Sequence, residues 1–304
     1  MNINSIKEDK DLNLSDLLNV LLKKKIFILC ITFIFSLSSV IYSLSLNNIY
    51  TSTVLLKPID DSSNSSSNIS SQFGGMASLA GISLGSPQND IGEFVKHTVL
   101  SRKFLEHLLS FENVKQKLSA TKSFDFPLQK IYYDEEIYNN DDDNWIAFAE
   151  PSYLKVFEDY YVREISVFDD KDSGFISISF SHISPIFAKD FLDLIINQIN
   201  ELTRINDLNK SQGSLDYLYE KYTAEKNADI RDAISELIKS QIKIQTFAYI
   251  QEEYLVEIID PPFAPEVKSS PQRSIICILA AFFGFTLSIS FVIIREYLFD
   301  KELS

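Results

Sequence analysis

Residues 26–46 read IFILCITFIFSLSSVIYSLSL and residues 274–294 read SIICILAAFFGFTLSISFVII, two runs of 21 residues without a charged side chain. At 1.5 Å of rise per residue each covers about 30 Å as a helix, the thickness of a bilayer core. A buried helix of a soluble protein normally shows a polar stripe or a shorter apolar run, so both read as membrane spans. The first run is too long for the apolar part of a signal peptide. No small-x-small site closes it before Asn47.

The rest of the composition follows from these two runs. The chain has 304 residues, 23% of them charged, yet its mean hydropathy is +0.01, because the apolar residues are concentrated in the spans. The expected organisation is a cytoplasmic N-terminal tail (1–25), span (26–46), outer domain (47–273), span (274–294) and cytoplasmic C-terminal tail (295–304). Lys23, Lys24 and Lys25 abut the first span and keep that end inside. Arg295 then lies at the inner end of the second span and Arg273 at the outer end. The 47–273 segment holds 21 Lys+Arg and 35 Asp+Glu and so carries the whole net charge of −14. A segment that long is translocated whatever its charge. Length alone suggests about two domains, but this partition leaves one outer domain tethered at both ends.

Composition also excludes several classes. So acidic a surface lacks the cations that bind nucleic-acid phosphates. The 23 Phe and 14 Tyr exclude a disordered chain, and eight Gly leave little room for glycine-rich nucleotide loops. Cys30 and Cys277 fall at opposite depths of antiparallel spans, about 20 Å apart, which is beyond disulfide reach. The outer domain holds no cysteine, so packing and assembly must stabilise it.

Within that domain Tyr50–Ile59 reads as a strand ending at Pro58. A Ser/Asn-rich stretch, Asp61–Ser71, follows, then a small-residue run from Gly74 to Gly81. Residues 91–109 have helical spacing. Val162–Phe168 and Phe175–Phe180 alternate on either side of a polar turn and read as a hairpin. Ser184-Pro185 is a helix start with proline in the first turn, and nothing but Gly213 interrupts helical spacing from there to Ile250. One continuous helix over 184–250 would approach 100 Å and would pack against neighbouring copies. Tyr254–Ile259 is a last strand, expected to pair with the first. Pro261, Pro262, Pro265 and Pro271 then make a stiff, extended connector into the second span. The fold expected is an α/β base with a long helical projection, flanked by two transmembrane helices.

The second span places Ala280, Gly284 and Ser288 four apart, the spacing that lets helix backbones approach closely in lipid. Thr32, Ser36, Ser39 and Ser43 offer a polar face on the first. No catalytic set emerges, and no cofactor is expected: a phosphate-binding G-x-x-x-x-G-K-[ST] loop, G-x-S-x-G and H-E-x-x-H are all missing. His97 and His107 lie about 80° apart on a helix, which suits ordinary surface or core histidines better than a metal site. Asn139, Asp141, Asp143 and Glu150 fall at positions 1, 3, 5 and 12 of a calcium-loop pattern. Asn stands at position 1, and Asn144 replaces the glycine of position 6, so an acidic solvated loop is the competing reading.

The layout resembles the polysaccharide co-polymerase, or Wzz-type chain-length determinant, family. The resemblance rests on Leu14-Ser15-Asp16-Leu17-Leu18 with Lys23–Lys25 before the first span, the strand Tyr50–Leu56, and the run Gly74–Gly81. Its most specific part is Ile259-Asp260-Pro261-Pro262-Phe263-Ala264-Pro265 with Ser270-Pro271-Gln272-Arg273, followed by Gly284 and Arg295. It implies a non-enzymatic homo-oligomer of the bacterial inner membrane that sets the length of lipid-linked glycans made by a separate membrane polymerase. The O-antigen of lipopolysaccharide is the first expectation. The connector and second span would couple the oligomer to that polymerase, and lipid-linked polysaccharide stays open as a direct ligand. Some relatives add a cytoplasmic tyrosine-kinase domain. The short tail and the missing phosphate loop place this chain with the kinase-less type, which leaves capsule or exopolysaccharide export with a separate kinase as the alternative. A two-span periplasmic sensor is the rival of another class, and 25 plus 10 cytoplasmic residues are few for an output module. A calcium-dependent scaffold is a third reading, resting on the acidic loop.

Overall fold

A computed structural model describes residues 20–59, 87–140 and 142–299. The Leu14–Leu18 motif, the Asp61–Ser71 and Gly74–Gly81 segments and Asp141 lie outside the described residues. The chain divides into two units, one from its two ends (1–48 and 269–304), the other from Ile49–Lys268.

The first unit is a pair of long apolar helices, α1 (Lys25–Ser45) and α9 (Arg273–Phe299). Both are long and apolar enough to cross a membrane, and most of their surface is exposed. Phe27 stacks on Phe291 at 5.7 Å, and Phe35 meets Phe283 at 6.3 Å, so the helices run antiparallel in contact.

The second unit has the element order β1 (Tyr50–Pro58), α2 (Pro87–Val99), α3 (Arg102–Leu108), α4 (Val114–Ala120), β2 (Thr121–Asp125), β3 (Lys130–Tyr133), β4 (Tyr138–Asn139), β5 (Asn144–Trp145), α5 (Tyr153–Val156), a π-helical turn (Phe157–Tyr161), α6 (Val162–Glu164), β6 (Ile165–Asp169), β7 (Ile176–His182), α7 (Pro185–Ala224), α8 (Ala228–Ile250) and β8 (Val256–Asp260). The main sheet has the order β6-β7-β1-β8 and is antiparallel throughout. The two strands nearest the spans in sequence, β1 and β8, therefore pair as expected, with Pro58 opposite Val256 and Leu56 opposite Ile258.

Alternation decides which face is buried. Val54, Leu56, Ile176, Ile178 and Phe180 point inward and are fully buried. Thr51, Thr53, Ser179 and Ser181 point outward, where Thr51 pairs with Ser181 at 2.9 Å and Thr53 with Ser179 at 3.0 Å. The inner face packs against Phe187, Phe191, Ile195 and Ile199 of α7 and against Val95 and Val99 of α2. Each such side chain taken fully out of water contributes about 1.5–3 kcal/mol, which makes this layer the main stabilising element of the domain. Gly92 lets α2 come close to β6, where a Cβ would collide with the Asp169 carboxylate.

Three expectations are corrected. The 91–109 segment is two helices, because the Ser101 hydroxyl accepts from Phe104 N at 3.1 Å and starts a new one. Residues 162–164 are helical, and the hairpin strand begins only at Ile165. The single helix over 184–250 is instead an antiparallel pair. Ser184 caps α7 as its sequence indicates, with Pro185 in the first turn, and α7 alone spans about 60 Å. The break falls at Glu225-Lys226-Asn227, where polar side chains satisfy backbone donors that a helix would otherwise use. Glu225 Oε1 accepts from Lys226 N and Asn227 N at 2.8 and 2.9 Å, and Asn227 Oδ1 accepts from Asp229 N at 3.0 Å to cap α8. The returning helix is joined to α7 by Ser211 Oγ donating to Gln241 O at 2.9 Å and by a Gln245–Gln212 bond at 3.1 Å.

Candidate functional site

The proline connector begins where β8 ends, and Asn200 of α7 holds the start of that strand. Its Oδ1 accepts from Leu255 N at 2.7 Å and Val256 N at 3.0 Å, and its Nδ2 donates to Val256 O at 3.1 Å. The amide is 6% exposed, so it exchanges water for three strand bonds in one place. Beyond the strand, Pro262 and Pro265 are buried, Pro261 is exposed and Pro271 is half-buried. Ser52 Oγ on β1 donates to Phe263 O at 2.7 Å and ties the connector to the sheet.

Between the two long helices Gly284 is buried against Phe35. A Cβ at position 284 would lie 2.7 Å from the Phe35 Cβ and 2.9 Å from its Cγ. Ser288, four residues on, is fully buried, and Ala280, four residues before, is half-buried. The polar face of the first span behaves differently from a hydrogen-bonding partner. Thr32 and Ser39 donate to carbonyls of their own helix, Ile28 O at 2.9 Å and Ser36 O at 2.8 Å. Ser288 likewise donates to Phe285 O at 2.7 Å. The contact shown across the pair at Gly284 is the Phe35 side chain laid on the glycine backbone. At its 273 end, Arg273 donates to Leu46 O and Asn48 Oδ1 at 3.3 and 3.1 Å.

The described calcium-loop candidates Asn139, Asp143 and Glu150 each have a side-chain partner. Glu150 pairs with Lys115 at 2.5 Å, Asp143 accepts from the Tyr138 hydroxyl, and Asn139 Nδ2 donates to Asp142 at 2.8 Å. Among the described residues no three His, Cys, Asp or Glu side chains gather where a metal ion could be held. His97 is exposed, and His107 bonds Gln198 at 2.7 Å. His182 is buried: its Nδ1 accepts from Ser184 N, which leaves Nε2–H to donate to Lys117 O, each at 3.0 Å. Burial lowers its pKa to about 4, so the ring is neutral near pH 7.

Residues 121–145 form an aromatic segment that the sequence pattern does not mark as a unit. There Tyr133, Tyr138 and Trp145 follow one another edge to face at 5.2 Å, with the Lys115 ammonium 5.6 Å above Trp145. Tyr132, Tyr133, Tyr138, Lys130 and Glu135 line a cavity of about 490 Å³ beside it. Its strands have two to five residues, too short for period-two alternation to register, and only the aromatic density hints at them.

Residues 10–110 match the family model of Wzz, chain length determinant protein. Over that third of the chain the resemblance read from the sequence is therefore borne out. A solved structure described as a full-length bacterial polysaccharide co-polymerase is 14% identical, covers 94% of this chain and 98% of its own, and has a TM-score of 0.38. A sequence search of curated proteins returns no match.

Proposed function

We propose that this protein is a non-enzymatic chain-length determinant of the bacterial inner membrane, a co-polymerase acting on the O-antigen of lipopolysaccharide with a separate glycan polymerase. The observation that carries the reading is the Wzz family match over residues 10–110. It is supported by an α/β body flanked by two membrane-length helices. Both termini lie in the cytoplasm and residues 47–273 in the periplasm, on the strength of Lys23–Lys25.

In this reading copies of the chain stand side by side. The α7–α8 hairpin leaves Tyr217, Leu237, Ile242, Tyr249 and Ile250 between 44% and 76% exposed, more apolar surface than an isolated hairpin gains from. A neighbouring copy would cover part of it. The geometry of the assembly reaches the polymerase through Pro261, Pro262, Pro265 and Pro271 and the Ala280, Gly284, Ser288 face. A chain whose output is a spatial ruler needs no acid, base or nucleophile.

Deletion of the gene should change the banding of surface polysaccharide on a gel without abolishing polymer. An unchanged ladder with equal total sugar removes O-antigen from the reading. Analysis of capsule and exopolysaccharide in the same strain then tests the other glycans. The detergent-extracted particle should be a ring of several copies, and a monomer at every concentration refutes the assembly.

A further inference from the structure

The end of the outer domain where the chain leaves the first span is rimmed with exposed apolar side chains. Tyr50, the first residue of β1, follows Ser45 by five residues, at most about 17 Å of extended chain. Its ring is 6% exposed because Phe126 covers it edge-on at 5.2 Å. Phe126 belongs to the tip of the β2–β3 hairpin, a tight turn in which Asp125 Oδ1 accepts from Leu128 N at 3.1 Å and Gln129 N donates to Phe126 O at 3.3 Å. The turn holds two apolar side chains outward, with Phe126 44% and Leu128 67% exposed. Two residues along β1 from Tyr50, Ser52 holds the connector through Phe263 O. Phe263 there is 54% exposed, and Val267, four residues further along the same connector toward α9, is 79% exposed. Two segments far apart in sequence thus flank the same strand end and each presents a pair of apolar residues.

Near a span, such side chains have one available solvent other than water. The interfacial layer of a bilayer is several ångströms thick on each side of the core, and aromatic residues are enriched there. We propose that Phe126, Leu128, Phe263 and Val267 form a lipid-contacting collar that anchors the domain to the bilayer interface beside its own spans. The occupant is lipid rather than a soluble partner, because the covalent tether keeps the strand end within a few residues of the membrane at all times. The proposal needs only that α1 and α9 cross a bilayer and is independent of glycan length control. It gives the proline connector a second task, to hold Phe263 and Val267 at the interface while joining β8 to α9.

The test uses the full chain in phosphatidylcholine vesicles, with Trp145, the only tryptophan, replaced by Phe. Phe126→Trp and Phe263→Trp are made separately in that background. Phe168→Trp serves as the reference, since Phe168 is 65% exposed and sits toward the end of the sheet opposite Tyr50. Both collar tryptophans should emit at shorter wavelength than the Phe168→Trp reference. Lipids carrying a nitroxide near the headgroup should quench them more than lipids carrying it at the acyl terminus. Water-like emission that iodide quenches as readily as the reference overturns the collar. Blue-shifted emission that neither lipid nitroxide quenches also overturns it, and points to a second copy of the chain on the patch. Two independent tryptophan positions keep the test decisive if one variant misfolds, and none of these outcomes depends on the polysaccharide ladder.

Discussion

Acid should loosen the α/β domain through a single ring. His182 ends β7, stacked on Phe180 at 6.1 Å and edge-on to Phe187 at 4.7 Å, with both nitrogens bonded to backbone. Its pKa is lowered from 6.5 to about 4 because burial penalises the imidazolium. Between those values the unfolded chain holds a proton on this residue that the folded chain does not. Stability is therefore unaffected by this group above pH 6.5 and falls as pH drops through the window toward 4. At about 1.36 kcal/mol per unit the loss amounts to about 3 kcal/mol by the lower end. Urea unfolding of the detergent-solubilised chain, followed by Trp145 fluorescence at neutral pH and near pH 4, measures it. His182→Gln sets the baseline, since every carboxylate titrates in both proteins and only the histidine differs. The variant should start lower, having lost ring packing, but should shed about 3 kcal/mol less on acidification. Parallel losses in the two proteins, or a His182 ring that titrates near 6.5 by NMR, would refute the reasoning.

Asn200→Ala should destabilise the domain by about 2 kcal/mol in the same unfolding assay, because it removes the side-chain partner of a buried N–H, a half-buried N–H and a buried carbonyl at the start of β8. Asn200→Asp should cost less, keeping the acceptor for Leu255 and Val256, and equal costs would contradict the bonding. Gly284→Leu forces α1 and α9 apart by about 1 Å, given the 2.7 Å from a Cβ to Phe35 against ordinary contacts near 3.5–4.0 Å. It should shift the polysaccharide length distribution more than Cys277→Leu, and Phe35→Ala should partly restore it. Equal, negligible shifts from Gly284→Leu and Cys277→Leu would make the small-residue face incidental to length control.

What could be read from the residues was whatever depends on neighbours in the chain. The spans show as uninterrupted apolar runs, and the helices Lys25–Ser45 and Arg273–Phe299 fall within a few residues of them. Tyr50–Pro58 shows as a run of β-branched and apolar residues stopped by proline, and Ser184-Pro185 as a cap. The Ala280, Gly284, Ser288 spacing shows the face but not its partner, since nothing in that spacing names Phe35. The same is true of Asn200, an amide in mid-helix whose three partners lie 55 and 56 residues away. The turn at 225–227 has a local cause in Glu225 and Asn227, but these residues are common on solvated helix faces. Only when α8 has α7 to pack against does breaking the helix cost less than continuing it. Periodicity therefore determined the two apolar helices, the strands of the main sheet and the amount of helix between Ser184 and Ile250. The tertiary structure decided that the helix folds back on itself, that Asn200 anchors β8, and that Phe126 and Phe263 meet one strand end. Each of these is a contact between distant segments, whose free energy exists only once the chain has brought them together.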